Sequence, residues 1–185
     1  MLINFLMNPA FSLLPLVVTN HFHGGAIELG WLQSANGVGM IAGGLLLGAW
    51  GGFRKRIVTA MTSLVISGVF IVVFSFMPPE LFLVAVGCVF VFAVFNAMAN
   101  GTFFSSIQAV IPPEMQGRVF TILMSLSGGM TPIGLAFAGP VSDSLGLFIW
   151  FRIGGIVLVL MGAVAFLIPA VMNLEEEFEQ PQAEA

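Results

Sequence analysis

The chain is built from long apolar stretches separated by short breaks that carry proline, glycine or charge. A helix needs about 20 mainly apolar residues to cross the hydrocarbon layer of a membrane, where every backbone polar group must be bonded within the helix. Only 8% of the residues are charged and 58% are hydrophobic, which is too little polar surface to cover a water-soluble fold. The expected fold is therefore an all-α polytopic membrane protein.

Six membrane-spanning helices are predicted between the breaks NHFHGGAIE, GGFRKR, PPE, IPPEMQGR and PVSDSLG. The predicted spans are Leu2 to Val18, Leu29 to Gly51, Ile57 to Met77, Leu81 to Ser106, Val119 to Val141, and Leu147 to Leu174. Residues 1–172 are thus expected to form one bundle in contact with lipid. Residues 173–185 hold five glutamates and are expected to form an acidic, disordered tail.

The basic residues predict how the bundle is oriented. Arg54, Lys55 and Arg56 lie together in one loop, and Arg118 falls on the same side when the spans alternate. Loops rich in lysine and arginine stay in the cytoplasm, so this side and both chain ends are predicted to be cytoplasmic. Arg152 lies near the opposite end of the last span, where an arginine can anchor at the membrane interface.

The two halves of the chain repeat each other. Span two lies on span five at an offset of 91 residues, and the coinciding pairs are Leu32 with Leu123, Ser34 with Ser125, Gly37 with Gly128, Gly43 with Gly134, and Gly48 with Gly139. The matched helices are an odd number of spans apart, so they cross the membrane in opposite directions. The sequence therefore predicts two inverted three-helix repeats, an architecture of many secondary transporters.

Asparagines are matched in the same way in spans one and four. At an offset of 92 residues the coinciding pairs are Asn4 with Asn96, Asn8 with Asn100, and Phe11 with Phe103. The Asn-x3-Asn spacing puts two amides on one helix face, a single turn apart. These faces either line a substrate cavity near the middle of the membrane or bond a neighbouring helix, an interaction worth about 0.6 kcal/mol on average. The sequence leaves both interpretations open.

The repeat also predicts that the first span is shortened at its start. Asn96 lies 15 residues after Leu81, where its span begins, whereas its counterpart Asn4 has three residues before it. If matched spans are alike in length, a complete first helix has about a dozen further residues before Met1.

Glycines in the matched spans two and five predict close helix packing. They are Gly39, Gly43, Gly44 and Gly48 in one span, and Gly134 and Gly139 in the other. Small residues four apart let helix backbones approach each other. The glycine run is not a dinucleotide-binding loop, because its spacing is one residue too long and no strand precedes it.

Catalysis, metal binding and nucleic-acid binding are not predicted. No nucleophile, general base and orienting acid come together in the sequence, so the protein is not expected to be an enzyme. His21 and His23 are two ligands where a zinc site needs three or four. Three adjacent cations in a chain of net charge −4 form no basic face for a nucleic acid. No cofactor is expected.

Three stretches carry a family resemblance that covers nearly all of residues 1–172. They are NPAFSLLPLVVTNHFHGGA, ELGWLQSANGVGMIAGGLLLGAWGGFRKRI and IPPEMQGRVFTILMSLSGGMTPIGLAFAGPVSDSLG. They resemble the C-terminal six-helix half of a major facilitator superfamily transporter, in the branch of bacterial drug and siderophore exporters that includes macrolide efflux proteins and the enterobactin exporter. The resemblance implies a bacterial plasma membrane, alternating-access export of a small hydrophobic or amphipathic solute as by an antiporter, and a missing N-terminal half.

The resemblance also implies roles for particular residues. In the family, the motif Gly-x-x-x-Asp-x-x-Gly-Arg-Lys gates movement between the two halves, and its frame is matched here by Gly48, Arg54, Lys55 and Arg56. Gly52 stands where the acid would be. A second frame keeps an acid on the outer side and consists of Gly139, Asp143 and Gly146. The first and fourth helices are implied to line the central cavity.

Two alternatives to a transporter half stay open. One is a non-transporting subunit of a membrane assembly, whose small-residue helices dock a partner, and the other is an inactive gene fragment.

Overall fold

The computed structural model describes residues 2–53 and 55–167, and all of the long elements in this part of the chain are helices. The helices are α1 (Leu2–Ser12), α2 (Leu14–Asn20), α3 (Ala26–Trp50), α4 (Arg56–Phe74), α5 (Phe82–Val110), α6 (Pro113–Leu145) and α7 (Ile149–Leu167), with a short 3-10 turn at Pro79–Leu81. The end of the last predicted span and the predicted tail, residues 173–185, lie outside the described residues.

Within the described ranges, five helical segments are long and apolar enough to cross a membrane. They are Leu2–Asn20, Arg56–Phe74, Pro79–Ala109, Pro113–Leu145 and Ile149–Phe166. The second predicted span is α3, which is 25 residues long but less apolar, because Gln33, Asn36 and several glycines interrupt its aliphatic side chains. The protein is an all-α polytopic membrane protein, as the sequence predicts.

The first span consists of α1 and α2 and is continuous across Leu13. Pro9 lies inside α1 and Pro15 in the first turn of α2, and each proline removes a backbone donor and crowds the preceding turn. Helical bonding nevertheless continues, because the Leu13 N–H donates to Pro9 O at 3.0 Å and the Val17 N–H donates to Leu13 O at 3.1 Å. The prolines therefore alter the local geometry without ending the span.

Each packed pair of helices has a counterpart, in which both helices are replaced by their matches in the other repeat. α3 packs on α5, and its repeat counterpart α6 packs on α1. α4 packs on α5, and its counterpart α7 packs on α1, while α4 and α7 pack on each other. Two inverted repeats around a pseudo-twofold axis require this correspondence. The helix packing confirms the predicted architecture of two inverted three-helix repeats.

Close crossings between the helices are made at glycines. Gly39 and Gly43 of α3 lie directly on the backbone of α5. A Cβ added at Gly39 would come within 2.6 Å of Phe90 O, and one added at Gly43 would collide with Val94 O. Glycine at both positions therefore allows the two backbones to meet.

The repeat counterpart of this crossing is also made by a glycine. A Cβ added at Gly134 of α6 would lie 2.7 Å from the backbone oxygen of Phe5 in α1. A third crossing joins α4 to α7, where Gly68 and Gly155 face each other and a Cβ at Gly68 would lie 2.7 Å from Gly155 O. By contrast, no atom of a described neighbour lies within 4 Å of the added Cβ at the other predicted glycines, which are Gly44, Gly48 and Gly139.

Three connections meet at one end of the bundle. His21, between α2 and α3, has its Nε2 atom 2.8 Å from Met77 O, between α4 and α5. Its ring also contacts that of Phe148, between α6 and α7, at 4.8 Å. Near this end, the Arg152 Nη2 atom donates to Ser75 O at 3.4 Å. The connections after α2, α4 and α6 therefore share one end, as alternating crossings require.

At the same end, α3 begins with a capped first turn. The Gly25 backbone N–H donates to Glu28 Oε2 at 2.6 Å. This hydrogen bond holds the pKa of Glu28 below its ordinary value, because it favours the charged carboxylate. The contribution of the cap to helix stability is therefore present at neutral pH and is lost as pH falls through the lowered pKa.

Adjacent glycines of α3 provide a matched test of the crossing with α5. Gly43→Ala is expected to destabilise the protein by about 1–3 kcal/mol, because the new methyl group overpacks against the α5 backbone. Gly44→Ala, which enters open space, is expected to be neutral or to stabilise by up to about 1 kcal/mol, because alanine is the better helix former. Thermal unfolding of this six-helix chain by itself in detergent measures both, and equal midpoints would contradict the assigned crossing.

Candidate functional site

A cavity of about 990 Å³ lies between the helices, and each of the six spans contributes to its lining. Its size is at the upper end of cavities that hold small molecules. The structure brings all six sequence-predicted cavity residues to this one lining, namely Asn4, Asn8, Phe11, Asn96, Asn100 and Phe103. α1 and α5, which the repeat relates to each other, thus both border the cavity.

The lining follows the inverted repeat. Both members of each predicted pair in α1 and α5 line the cavity, and so do Asn36 of α3 and Ser127 of α6, which are 91 residues apart. Matched residues can share one space only if the pseudo-twofold axis passes through it. The cavity therefore lies on the axis that relates the two repeats.

The asparagines of α5 are bonded within their own helix. Asn100 Nδ2 donates to the backbone oxygen of Asn96 at 2.9 Å and to Asn96 Oδ1 at 3.0 Å. These two bonds fix the Asn100 amide without a neighbouring helix. Among the described residues, this pair is not a helix-to-helix link.

Asn8 of α1 bonds a neighbouring helix and also lines the cavity. Its Nδ2 atom donates to Thr131 Oγ1 of α6 at 2.8 Å, and the bond is partly buried. The sequence left open whether this amide lines a cavity or bonds a neighbouring helix. Asn8 does both, because its side-chain nitrogen bonds α6 while the residue borders the cavity.

Two further amides of the lining, Gln33 and Asn36 of α3, were missed by sequence reasoning. Their signal was available, because they lie one turn apart in an otherwise apolar span. They were missed because their repeat counterparts, Met124 and Ser127, are not amides. The cavity is also lined by five methionines, which are Met7, Met40, Met61, Met124 and Met161.

The two matched phenylalanines differ in packing. Phe11 stacks on Phe92 with ring centroids 5.4 Å apart and meets Phe151 edge-on at 5.8 Å. Phe103, near the other end of the bundle, is 53% exposed. Phe11 is therefore packed between aromatic rings of α5 and α7, whereas Phe103 has an exposed face.

The predicted gating loop lies at that opposite end, where α3 ends and α4 begins. Gly51 and Gly52 have φ angles of +75° and +81°, and the Gly51 N–H closes α3 by donating to Leu47 O at 2.8 Å. A Cβ at Gly52 would lie 2.7 Å from Thr59 Oγ1. The position where the resemblance leads one to expect an acid therefore has a backbone that favours glycine.

Three of the described cationic residues flank this same end, while Arg152 lies at the His21 end. Lys55 precedes α4, Arg56 is its first residue, and Arg118 lies in the second turn of α6. Arg54 of the same predicted cluster lies outside the described residues. Gly48, in the last turn of α3, has no described neighbour within 4 Å of an added Cβ.

Inverted three-helix repeats around a cavity on their axis are the architecture of many secondary transporters. The chain belongs to the major facilitator superfamily, because the model of that family, described as Major Facilitator Superfamily, matches residues 1–184. The family resemblance predicted from the sequence is thereby confirmed.

Relatives of this chain are named as efflux proteins. It is 28% identical to Macrolide efflux protein A of Streptococcus pyogenes over 92% of this chain and 42% of that protein. It is 32% identical to Multidrug efflux pump Tap of Mycolicibacterium fortuitum over 80% of this chain and 36% of that protein. The protein of the same name from Mycobacterium tuberculosis is 33% identical over 88% of this chain and 38% of its own length.

The chain thus spans less than half the length of these curated relatives. No solved structure matches the chain.

Proposed function

We propose that the chain is the C-terminal six-helix half of a secondary active exporter, which moves small hydrophobic or amphipathic solutes by alternating access. The observation that carries this proposal is the cavity of about 990 Å³, lined by matched asparagines of both repeats. Substrate sites of inverted-repeat transporters lie at this place, on the repeat interface. The printed names of the relatives, macrolide efflux and multidrug efflux, support export and a solute of this kind.

The chemistry of the lining supports an amphipathic solute. Phenylalanine and methionine side chains supply apolar surface, and methionine adapts to solutes of different shape. Six carboxamides supply hydrogen bonds at fixed places, from Asn4, Asn8, Gln33, Asn36, Asn96 and Asn100. A mostly apolar pocket with a few placed polar groups is the usual design of a small-molecule site.

The surfaces of α3 and α6 support a second six-helix half as the partner. Three of 25 residues are buried in α3 and three of 33 in α6, far fewer than helices enclosed in a bundle require. Both helices also present glycines with open space beside them, including Gly37, Gly44, Gly48, Gly128, Gly129 and Gly139. Small-residue faces pack helix against helix. In the proposed transporter, the other half covers these two repeat-related faces and completes the cavity wall.

The proposed orientation places both chain ends and the gating loop in the cytoplasm of a bacterium. Lys55, Arg56 and Arg118 share one end of the bundle, and Arg152 lies toward the other. The excess of cations at one end supports this orientation, because loops rich in lysine and arginine resist translocation.

Transport by the complete protein tests the proposed function. Cells that express it are expected to accumulate less radiolabelled macrolide than cells without it, and a proton ionophore is expected to remove the difference, because the export is ion-coupled. The double change Asn96→Leu and Asn100→Leu is expected to reduce export. Each hydrogen bond lost to a solute is worth about 0.5–1.5 kcal/mol, or about two- to tenfold in binding.

The matched control is Gln108→Leu, which removes an amide from the same helix outside the cavity lining. Export that survives the ionophore and depends on ATP would overturn the proposed coupling. A stable complex with no vectorial flux in proteoliposomes would favour the non-transporting assembly subunit instead.

A matched pair of cysteine substitutions tests the orientation. Glu80 and Glu114 each follow two prolines, are exposed, and lie at opposite ends of α5. In a Cys88→Ser background, Glu80→Cys is expected to react with a membrane-impermeant maleimide in intact cells. Glu114→Cys is expected to react only after permeabilisation. Labelling of both in intact cells would contradict the alternating crossings, and the reverse pattern would invert the orientation.

A further inference from the structure

Two repeat-related asparagines of the cavity use their side-chain nitrogens in the same way. Asn100 Nδ2 donates to Asn96 O at 2.9 Å and to Asn96 Oδ1 at 3.0 Å. Asn8 Nδ2 donates to Thr131 Oγ1 at 2.8 Å. The bonding partners differ, but in both side chains the protein engages the donor end of the amide.

The acceptor ends of these amides remain available to a ligand. A backbone carbonyl only accepts hydrogen bonds, so the group of Asn100 that approaches Asn96 O has to be the NH₂ group. The Oδ1 atom lies on the other side of the planar amide. Among the described residues, neither Asn8 Oδ1 nor Asn100 Oδ1 accepts a hydrogen bond.

Both residues line the cavity, and Asn100 is exposed within the described structure. An amide oxygen that borders a cavity open to water is satisfied by a water molecule. A solute that displaces the water leaves each oxygen unsatisfied unless it brings a donor of its own, and an unsatisfied polar group costs free energy. The cavity thus favours solutes that carry hydrogen-bond donors at two places.

We propose that the cavity selects hydroxyl-bearing amphiphiles, whose hydroxyl groups donate to Oδ1 of Asn8 and of Asn100. The inference rests on the proposed transport of amphipathic solutes and adds the chemical group that is recognised. A protonated amine also donates, but transferring a charge into a lining of amide, methionine and phenylalanine side chains costs far more than transferring a neutral hydroxyl. The neutral donor therefore suits this wall better.

Thr131 is a positioning residue in this scheme. Its hydroxyl oxygen holds the Asn8 NH₂ group away from the solute, so the Asn8 oxygen is oriented before the solute arrives. Without that partner the amide can rotate and present either end. Thr131→Val is therefore expected to weaken the preference for a hydroxyl donor, and Thr131→Ser, which keeps the hydroxyl, is expected to restore it.

Equilibrium binding to the purified complete transporter in lipid nanodiscs tests the inference. The probes are a macrolide, its fully O-methylated derivative and its N-quaternised derivative. O-methylation removes hydroxyl donors while it keeps the amine, and quaternisation removes the ammonium donor while it keeps the charge. O-methylation is expected to weaken binding about four- to hundredfold, since it removes two hydrogen bonds that each contribute about two- to tenfold. Quaternisation is expected to have little effect.

Variants assign the effect to the two oxygens. Asn100→Leu is expected to weaken binding of the parent macrolide about two- to tenfold and to leave the O-methylated probe unchanged, because that probe has already lost the bond. Gln108→Leu, on the same helix but outside the lining, is expected to change neither. Thermal unfolding of each variant shows that it is folded.

Three outcomes would overturn the inference. The first is equal binding of the parent and O-methylated macrolides. The second is a large loss of affinity on quaternisation alone, which would assign the ammonium as the donor. The third is failure of the parent macrolide to bind. The proposed function is tested separately, by transport rather than by binding. Ionophore-sensitive export of the O-methylated macrolide at the rate of its parent would leave the exporter assignment intact while it removes the role of the hydroxyl.

Discussion

The approach of helix backbones at glycines is the contact on which the rest of this structure depends. Lipid is as apolar as the side chains it surrounds, so burial of apolar surface does not drive helices together, and close packing has to do so. Gly43 on α5, its repeat counterpart Gly134 on α1, and Gly68 against Gly155 make three of these crossings. Because these contacts tie α1 to α6 and α5 to α3, the polar faces of α1 and α5 border a shared cavity.

Much of the fold and part of the site could be predicted from the sequence, because the repeat places matched residues on matched surfaces. The asparagines of α1 and α5 were found in this way. Gln33 and Asn36 were not, since their counterparts have lost the amide. The sequence also could not separate Gly43 from Gly44, which differ only in the direction that each faces on one helix. That direction depends on how the helices are rotated in the bundle, which spacing alone does not specify.

The two repeats reach the same cavity chemistry by different bonds. At an offset of 91 residues, Thr131 corresponds to Met40, which accepts no hydrogen bond from Asn100 in the described structure. The Asn100 nitrogen is instead engaged within its own helix, one turn back. The bonding partners of Asn8 and Asn100 thus differ, while both repeats place an asparagine at the cavity. In both repeats the protein engages the side-chain nitrogen of an asparagine that borders the cavity.

The matched helix pairs α3–α5 and α1–α6 also differ in how readily their helices bend. Prolines 9 and 15 lie in the first span and prolines 132 and 140 in α6, whereas α3 and α5 contain none. Each proline inside a helix removes a backbone hydrogen bond, so fewer hydrogen bonds resist bending at that point. In the α3–α5 pair two glycines meet the α5 backbone and helical bonding is unbroken. In the α1–α6 pair one glycine meets the α1 backbone and the Asn8–Thr131 bond joins the helices. Any reshaping of the cavity therefore costs least along α1 and α6, which is the side where a single polar bond joins the two helices.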